Sequence, residues 1–178
     1  MGYGQQVMAS KLIILRGPSG SGKTTIANKL FNRAKNPIVL IDQDHYRFIF
    51  RPPGAGGMPN AHTISRMITS SVLIALDDGY DVILEGILGL RRYRPLLDEL
   101  LASHPRDNHL FYFDVSLDES IRRHNTKANA HGFGEADLRT WYPASGRTDL
   151  SIECLIPESY SAGQAMAFVV AKTGLDLV

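Results

Sequence analysis

The chain has 178 residues, of which 44% are hydrophobic and 21% are charged. These proportions are typical of a globular domain and exclude a wholly disordered chain. Lysine and arginine total 19, against 18 for aspartate and glutamate. A chain so close to neutral lacks the broad positive field that non-specific binding of nucleic acids or anionic membranes requires, although a local basic cleft is compatible with this total.

Cys154 is the one cysteine, so we expect neither an intramolecular disulfide nor a metal site built on cysteines. The longest apolar run, Ala165–Ala171, is far shorter than the ~18 residues that span a bilayer. Residues 1–10 lack the basic region and apolar stretch of a secretory signal. We therefore expect a cytoplasmic protein without a membrane partner, with a tail at residues 1–10 and a single domain at residues 11–178.

Short apolar runs rich in β-branched residues alternate along the chain with longer segments of helical period. The predicted strands are Leu12–Leu15, Ile38–Ile41, Val82–Leu84, Leu110–Val115 and Ile152–Ile156. The predicted helices are Lys23–Ala34, Asn60–Asp77, Arg94–Ser103, Leu117–Ala130 and Ala162–Thr173. Such alternation indicates βαβ units, and continuous apolar strands indicate burial on both faces. The pattern predicts a three-layer α/β/α domain with a five-stranded parallel sheet.

The first predicted strand leads into Gly17-Pro18-Ser19-Gly20-Ser21-Gly22-Lys23-Thr24, which fits G-x-x-x-x-G-K-[ST] without a mismatch. The glycines let backbone N–H groups turn inward around phosphate oxygens, and the following helix adds its positive end. We expect Lys23 to reach the outer phosphates, Thr24 to ligate Mg²⁺ and Thr25 to contact the α-phosphate. The motif predicts a P-loop NTPase fold that binds a nucleoside triphosphate, with ATP and Mg²⁺ as the expected cofactors.

The remaining sequence separates the classes of P-loop protein. A switch GTPase needs N-K-x-D, which residues 125–128 do not match, and D-x-x-G, which does not occur. An ABC-type or AAA-type engine needs a longer chain and further motifs. A phosphotransferase needs an acid near the acceptor hydroxyl, a second acidic group for the metal or acceptor, and mobile cations over the transferring phosphoryl group.

Two aspartates follow the second predicted strand, in Asp42-Gln43-Asp44-His45-Tyr46-Arg47. Ligands of parallel α/β sheets lie beyond the carboxyl ends of the strands, and residues two apart in an extended chain face the same side. We expect Asp44 to orient an acceptor hydroxyl and Asp42 to help hold Mg²⁺, with the reverse assignment left open. Arg47 is expected either to clamp an anionic group on the acceptor or to be an ordinary surface residue.

Two stretches lack the alternating pattern. Arg51–Pro59 contains three prolines and three glycines, which predicts a loop that either connects elements or covers the substrate. Asn125–Asp149 is polar, and we interpret it as part of a helical lid at about residues 117–149. Within it, Trp141-Tyr142 either stacks on an aromatic acceptor or packs the lid against the core.

The phosphate loop followed by DQDHYR resembles the small P-loop kinases of the nucleoside/nucleotide-kinase superfamily. Similar acidic motifs mark adenylylsulfate, gluconate and shikimate kinases and chloramphenicol phosphotransferase. Glu85-Gly86-Ile87-Leu88 is similar to a segment of uridine kinases, which implies that Glu85 binds the acceptor or positions the metal. The resemblance implies ATP-dependent phosphoryl transfer to a hydroxyl of a small molecule such as a nucleoside, sugar, antibiotic or metabolite.

The predicted helix after Asp114 carries Arg123 and Lys127, which are four residues apart and share a face. In adenylate-kinase-like folds, two cations at this spacing stand at the start of the lid segment. The first stacks on adenine, and the second neutralises the transferring phosphate. The resemblance implies these roles for Arg123 and Lys127, with Arg139 or Arg147 as alternative phosphate contacts. It also implies that residues 157–162 lie beside the adenine ring. A solvated basic helix face is the alternative.

Two other functions stay open at this point. A polynucleotide 5′-hydroxyl kinase would need a basic track into the cleft, whereas the near-neutral total favours dispersed surface charge and a small-molecule acceptor. The candidates for such a track are Arg47, Arg51, Arg66, Arg91, Arg92 and Arg94. A non-enzymatic nucleotide-binding switch would bind the nucleotide without turning over an acceptor.

Overall fold

The computed structural model describes residues 10–50, 60–126, 134–142 and 146–178. Within these ranges the chain forms five strands and seven helices. In chain order they are β1 (Lys11–Arg16), α1 (Lys23–Phe31), β2 (Ile38–Asp42), α2 (Gln43–Phe48), α3 (Ala61–Asp77), β3 (Asp81–Gly86), α4 (Leu90–Ser103), β4 (Asp107–Asp114), α5 (Leu117–Asn125), α6 (Glu135–Trp141), β5 (Glu153–Pro157) and α7 (Ala162–Thr173).

The five strands form one parallel sheet in the order β2-β3-β1-β4-β5. Arg16 of β1 lies opposite Gly86 of β3 and Tyr112 of β4. Asp42 of β2 lies opposite Glu85 of β3. Because parallel strands end at the same edge of a sheet, this register gathers the segments after β1, β2 and β3 at one edge. The predicted α/β P-loop fold with a five-stranded parallel sheet is confirmed.

Helices cover both faces of the sheet and divide the apolar core into two clusters. On one face, Leu12 and Ile14 of β1 pack among residues of α3 and α4. On the other face, Ile13 and Leu15 pack among residues of α1 and α7. All four side chains are fully buried. The apolar run of β1 is therefore continuous because alternate residues serve opposite faces of a covered sheet.

Most predicted elements are present with shifted ends. The bounds of α3 and α7 agree with the sequence prediction to within one residue. Helix α1 ends at Phe31 rather than Ala34, and α4 begins at Leu90 rather than Arg94 because Gly89 caps it in an extended conformation. Helix α5 ends at Asn125, and most of the remainder of its predicted length lies outside the described residues.

Two of the expected features fall largely or wholly outside the described ranges. These are the tail, of which only residue 10 is described, and the proline- and glycine-rich loop at residues 51–59. Among the helices that the structure describes, α3 is the longest, with 17 residues. None of the described helices combines the length and the apolar character needed to cross a membrane.

Helix α2 is not predicted by the sequence pattern, and α6 falls within the expected helical lid at about residues 117–149 without being predicted as an element of its own. Helix α2 has only six residues and begins directly after β2. Asp42 caps it, because its backbone is extended and its Oδ1 accepts the N–H of Asp44 at 2.8 Å, an interaction that favours aspartate at this position. The expected extended chain from Asp42 to Asp44 is therefore wrong, and Asp44 lies in the first turn of a helix.

A close contact between α2 and the end of β3 fixes the position of this helix. Gln43 is 3% exposed, and its Oε1 accepts the N–H of Leu88 at 3.0 Å. A Cβ atom at Gly86 would lie 2.5 Å from the Gln43 Cβ, so the approach requires glycine. Leu88 is fully buried and has a φ of 43°, a left-handed conformation that branched or bulky residues rarely adopt. The turn after β3 and the start of α2 thus restrain each other.

Candidate active site

Residues 17–22 form a turn between β1 and α1 at the carboxyl edge of the sheet. Gly17, Gly20 and Gly22 have φ angles of 146°, 78° and 103°. A Cβ atom at Gly17 would lie 2.8 Å from the carbonyl oxygen of Phe113, and one at Gly20 would lie 3.0 Å from that of Ser120. The glycines are therefore needed both for the backbone conformation and for packing on β4 and α5. A compact turn at a helix N-terminus is the geometry that cradles phosphate groups.

Lys23 begins α1 and lies beneath the turn, with 6% of its surface exposed. Its Nζ donates to the carbonyl oxygen of Pro18 at 2.8 Å and to the hydroxyl of Ser21 at 3.3 Å. An anion held by the turn would therefore lie beside a buried positive charge that already has polar partners. Of the other predicted phosphate contacts, Ser19 is half-buried and Thr25 is exposed.

Thr24 connects the turn to β3. Its hydroxyl donates to Oε1 of Glu85 at 2.8 Å, and Glu85 is 4% exposed. Burial raises the pKa of the Glu85 carboxyl, the Lys23 ammonium and the Thr24 hydrogen bond oppose the rise, and the negative charges of Asp42 and Asp44 add to it. Glu85 is thus a buried acid at the base of the phosphate turn, and its affinity for a proton depends on the charges around it.

Asp42 and Asp44 lie at the same edge of the sheet. Asp42 is opposite Glu85 in the pairing of β2 with β3, and its Oδ1 caps α2. Asp44 forms an ion pair with Arg47, with 2.8 Å between Oδ1 and Nη1. Arg47, expected to clamp an anionic group of the acceptor, therefore binds an acid of its own helix in this structure. The edge gathers three carboxylates from two neighbouring strand ends.

Oxygen atoms of the kind that Mg²⁺ prefers come from Thr24, Asp42 and Glu85. In the ranges that the structure describes, no group of three or more histidine, cysteine, aspartate or glutamate side chains is arranged to hold a metal ion. Mg²⁺ at nucleotide sites is commonly held by one or two carboxylates together with phosphate oxygens and water. The donors therefore fit a metal ion that arrives with a nucleotide. Thr24 and Asp42 are the expected ligands, and of the two roles expected of Glu85, its hydrogen bond to Thr24 fits that of positioning the metal.

Arg123 of α5 joins three parts of the site. Its guanidinium donates to the carbonyl oxygen of Ser21 at 3.0 Å and to that of Glu158, after β5, at 2.8 Å. Its Nε donates to Glu119 at 2.6 Å. The side chain therefore spans the gap between the phosphate turn and residues 157–162, which are expected beside the adenine ring from the resemblance to small P-loop kinases. Lys127, the second of the two expected lid cations, lies outside the described residues.

Ser116 and Glu158 form a second link across this gap, which sequence reasoning missed. The Glu158 carboxylate accepts the N–H of Ser116 at 2.9 Å and its hydroxyl hydrogen at 2.8 Å. These two hydrogen bonds lower the pKa of the Glu158 carboxyl. The sequence offers only a serine before a helix with an acidic first turn, a typical N-cap, and that pattern does not reveal the distant partner.

The two alternative lid cations are both paired with acids. Arg139 of α6 lies 2.6 Å from Glu135, measured from Nη2 to Oε1, at the surface of its helix. Arg147 forms an ion pair with Asp114 at the end of β4. Of these two arginines, Arg147 is the one attached to the carboxyl edge of the sheet.

Trp141 and Tyr142 at the end of α6 differ in their surroundings. The Tyr142 hydroxyl donates to the carbonyl oxygen of Val115 at 3.0 Å, so this residue ties the end of α6 to the end of β4. Trp141 is 41% exposed. The tyrosine therefore fits the interpretation that the pair packs the lid against the rest of the domain.

Acids partly neutralise the arginines considered for a basic track. Arg94 lies 2.7 Å from Asp98 and 2.5 Å from Asp149, and Arg47 is paired with Asp44. The exposed members of the set are Arg66, Arg91 and Arg92, and Arg51 lies outside the described residues. The acids beside Arg47 and Arg94 reduce the positive charge that a nucleic-acid backbone would meet.

A protein-family model described as an AAA domain matches residues 12–143. This range includes the phosphate turn, Glu85, Asp42, Asp44 and Arg47. The chain belongs to this family. Membership identifies the P-loop nucleotide-binding domain and does not by itself assign a motor activity.

Several solved kinases share this fold. A sugar kinase from Janibacter sp. HTCC2649 is 17% identical with a TM-score of 0.71, over 93% of this chain and 95% of that one. A gluconokinase from Sinorhizobium meliloti 1021 is 17% identical with a TM-score of 0.65, over 93% and 92%. An APS kinase from Mycobacterium tuberculosis, in complex with AMPPNP and APS, is 20% identical with a TM-score of 0.68, over 92% and 96%. No curated protein sequence gives a significant match. The resemblance to small P-loop kinases is therefore confirmed at the level of the fold.

We predict that Glu85→Gln makes the folded protein more stable than the wild type at pH 7. Burial raises the pKa of this carboxyl, so the folded state binds its proton more tightly than the unfolded state does. Wild-type stability should therefore fall as the pH rises from the ordinary carboxyl pKa through the raised one, and a neutral amide avoids this loss. The gain should be largest at pH 7 and shrink toward pH 4, as measured by urea unfolding across this range.

Glu99→Gln is the control, because Glu99 is an exposed glutamate on α4. We expect it to leave the pH dependence of stability unchanged. A Glu85→Gln protein that is less stable than the wild type at pH 7 would contradict this prediction, because it would show that the ionised carboxylate stabilises the fold.

Proposed function

We propose that the protein is an ATP-dependent kinase that transfers the γ-phosphoryl group to a hydroxyl group of a small molecule. One observation carries the proposal, namely the carboxylates beside the phosphate turn. Glu85 is bonded to Thr24, and Asp42, opposite Glu85, caps the helix that carries Asp44. Phosphoryl transfer requires an acid that orients the acceptor and a second acidic group that organises the metal. A module that only binds a nucleotide requires neither.

The phosphate turn and Arg123 would bind the nucleotide. The N–H groups of residues 17–22 would surround phosphate oxygens, and Lys23 Nζ would exchange the Pro18 carbonyl oxygen for an oxygen of the outer phosphates. Arg123 already bridges the turn and the segment after β5. By its resemblance to the lid cations of related kinases, its guanidinium would stack on the adenine ring.

Thr24, Asp42 and Glu85 would hold Mg²⁺ together with the phosphate oxygens. When bound, Mg²⁺ neutralises part of the charge on the transferring group and orients it. The Thr24 hydroxyl would turn from Glu85 toward the metal, and the carboxylates would contribute ligands directly or through water. Lys23 would stabilise the charge that develops on the outer phosphates.

Asp44 would accept the hydrogen bond of the acceptor hydroxyl and orient it for transfer. Its present partner, Arg47, would then bind an anionic or polar group of the acceptor. Lys127 of the lid, or Arg147, would supply a further cation over the transferring group. Closure of the lid would exclude water, which competes with the acceptor for the phosphoryl group.

A small-molecule acceptor is favoured over a polynucleotide for two reasons. The named relatives are a sugar kinase, a gluconokinase and an APS kinase. In addition, Arg47 and Arg94 are paired with acids instead of contributing to a basic track. A 5′-hydroxyl oligonucleotide is the acceptor that distinguishes a polynucleotide kinase from a small-molecule kinase.

We predict that Arg123→Met weakens the binding of ATP with Mg²⁺ about tenfold, because it removes charge-assisted hydrogen bonds that join the two sides of the nucleotide site. Arg122→Met is the matched control. Arg122 is the neighbouring residue and shares the partner Glu119, but its side chain is 66% exposed. Calorimetric titration of both variants should show the loss only for Arg123→Met. Equal affinities for the two variants and the wild type would contradict the assignment.

The proposed activity is tested by measuring ADP release from ATP and Mg²⁺ with a panel of acceptors. The panel contains nucleosides, sugars, aminoglycosides, chloramphenicol-like compounds and a 5′-hydroxyl oligonucleotide. We expect one class of small molecule to stimulate release, and Asp44→Asn to lower this stimulated rate about a hundredfold or more while ATP affinity is retained, since a positioned acid contributes roughly 10²–10⁴-fold.

Asp98→Asn is the control for Asp44→Asn. The two aspartates are alike in exposure and pairing. The Asp98 side chain is 50% exposed and paired with Arg94 of the same helix, and the Asp44 side chain is 48% exposed and paired with Arg47 of its helix. This control should keep the wild-type rate. ATP binding without stimulated release by any acceptor would favour the switch module, and stimulation by the oligonucleotide alone would favour the polynucleotide kinase.

A further inference from the structure

Arg16 is the last residue of β1 and directly precedes the phosphate turn, yet no step proposed above uses it. Its side chain is 1% exposed, and its Nη1 lies 2.6 Å from Oε1 of Glu153, whose side chain is 3% exposed. The guanidinium carbon lies 4.9 Å from the ring centroid of Tyr112. Among the ion pairs of the described residues, this one is the most deeply buried.

Stability alone does not explain such a pair. Moving two charges out of water costs several kcal/mol per ion, and apolar residues of similar volume often serve the fold as well or better. In addition, Nε of Arg16 is buried without a hydrogen-bond partner among the described residues, which is a further cost. The pair therefore acts through the segments that it joins.

On one side, Glu153 connects Arg16 to the segment that returns from α6. Its Oε2 accepts the N–H of Thr148 at 2.6 Å. Arg147, the residue before Thr148, forms the ion pair with Asp114 at the carboxyl edge of the sheet. The backbone that carries Arg147 is thus bonded to an acid that Arg16 holds in place.

Tyr112 reinforces the same contact. A Cβ atom at Gly146 would lie 1.6 Å from the Tyr112 hydroxyl oxygen, so the backbone of this segment presses directly on the ring that Arg16 covers. Burial, together with the nearby Tyr142, raises the pKa of Tyr112 to about 12. The Tyr112 hydroxyl is therefore uncharged near neutral pH, so the negative partner of Arg16 is Glu153 and not Tyr112.

On the other side, Arg16 reaches the turn after β3. Its Nη2 lies 3.5 Å from the carbonyl oxygen of Leu88, at the outer limit for a hydrogen bond. The N–H of Leu88 donates to Gln43, the first residue of α2. A single turn thus separates Arg16 from the helix that carries Asp44.

We propose that Arg16 is a positioning residue for phosphoryl transfer. Through Glu153 it fixes the segment that carries Arg147, and through its contact with Leu88 it supports the turn against which α2 packs, so that both keep their places relative to the phosphate turn. A buried ion pair suits this task because any displacement leaves an unpaired charge in the interior. The inference rests on the proposed kinase function, and Arg16 itself touches neither nucleotide nor acceptor.

The double variant Arg16→Met with Glu153→Leu tests the proposal, because it removes both charges together and keeps apolar volume in the core. We expect kcat to fall about tenfold or more, since a small misplacement of reacting groups is costly, while the ATP Kd and the acceptor KM change less than about threefold. Amide hydrogen exchange in residues 146–150 should become faster. Arg16→Lys retains a charge opposite Glu153 and should keep more of the wild-type kcat.

Lys11→Met with Asp107→Leu is the matched control. It removes an ion pair of the same 2.6 Å length at the opposite end of β1. We expect it to leave both kcat and the exchange of residues 146–150 unchanged. If the first double variant does not fold, Arg16→Lys, which keeps a positive charge opposite Glu153, provides the same measurements with less disturbance of the core and a smaller expected loss of kcat.

Two outcomes overturn the proposal. One is a folded double variant with wild-type kcat and wild-type exchange at residues 146–150. The other is a loss of nucleotide affinity in parallel with kcat, because the effect would then lie in the phosphate turn itself. If the wild-type protein transfers phosphoryl groups to no acceptor, the proposed function fails separately. The exchange measurement then decides alone, and unchanged rates overturn the restraint assigned to Arg16.

Discussion

Parallel pairing of β3 with both β1 and β2 is the constraint on which the site depends. It sets Glu85 between Leu15 of β1 and Asp42 of β2. The carboxylate of Glu85 therefore meets the hydroxyl of Thr24, in the first turn of the helix that follows β1, without a dedicated loop. A slip of one residue in this register would turn Glu85 to the opposite face of the sheet. The geometry of the site is thus a consequence of how the sheet pairs.

The charges of the site explain why a triphosphate and a divalent cation suit it together. Lys23 is buried in the phosphate turn, and Glu85 is buried beside it with Asp42 and Asp44 close enough to raise the pKa of its carboxyl. A phosphate group alone would attract Lys23, whose positive charge opposes the rise in the pKa of Glu85. A cation bound between the carboxylates and the phosphates restores that balance. The pairing of Arg47 with Asp44 relieves the same repulsion at the acceptor side.

The sequence predicts the strands and the phosphate turn because both are local patterns, and strand ends alone direct Glu85 and Asp44 to one edge. It does not predict α2, since six residues are too few to show a helical period and an N-cap aspartate looks like the end of a strand. The pair of Arg16 and Glu153 is also hidden, because its members lie 137 residues apart. A charged residue that ends an apolar strand is the only local signal. The roles assigned to Lys127 and to residues 51–59 stay predictions, as those residues lie outside the described ranges.

Binding of a non-hydrolysable ATP analogue to the wild-type protein, titrated at increasing Mg²⁺ concentration, tests the central claim most directly. If the hydroxyl of Thr24 and the neighbouring carboxylates hold a metal that arrives with the nucleotide, affinity rises with Mg²⁺. Thr24→Ala then removes most of that rise and leaves the metal-free affinity in place. Affinity that does not depend on Mg²⁺, or an equal dependence in Thr24→Ala, would contradict the account.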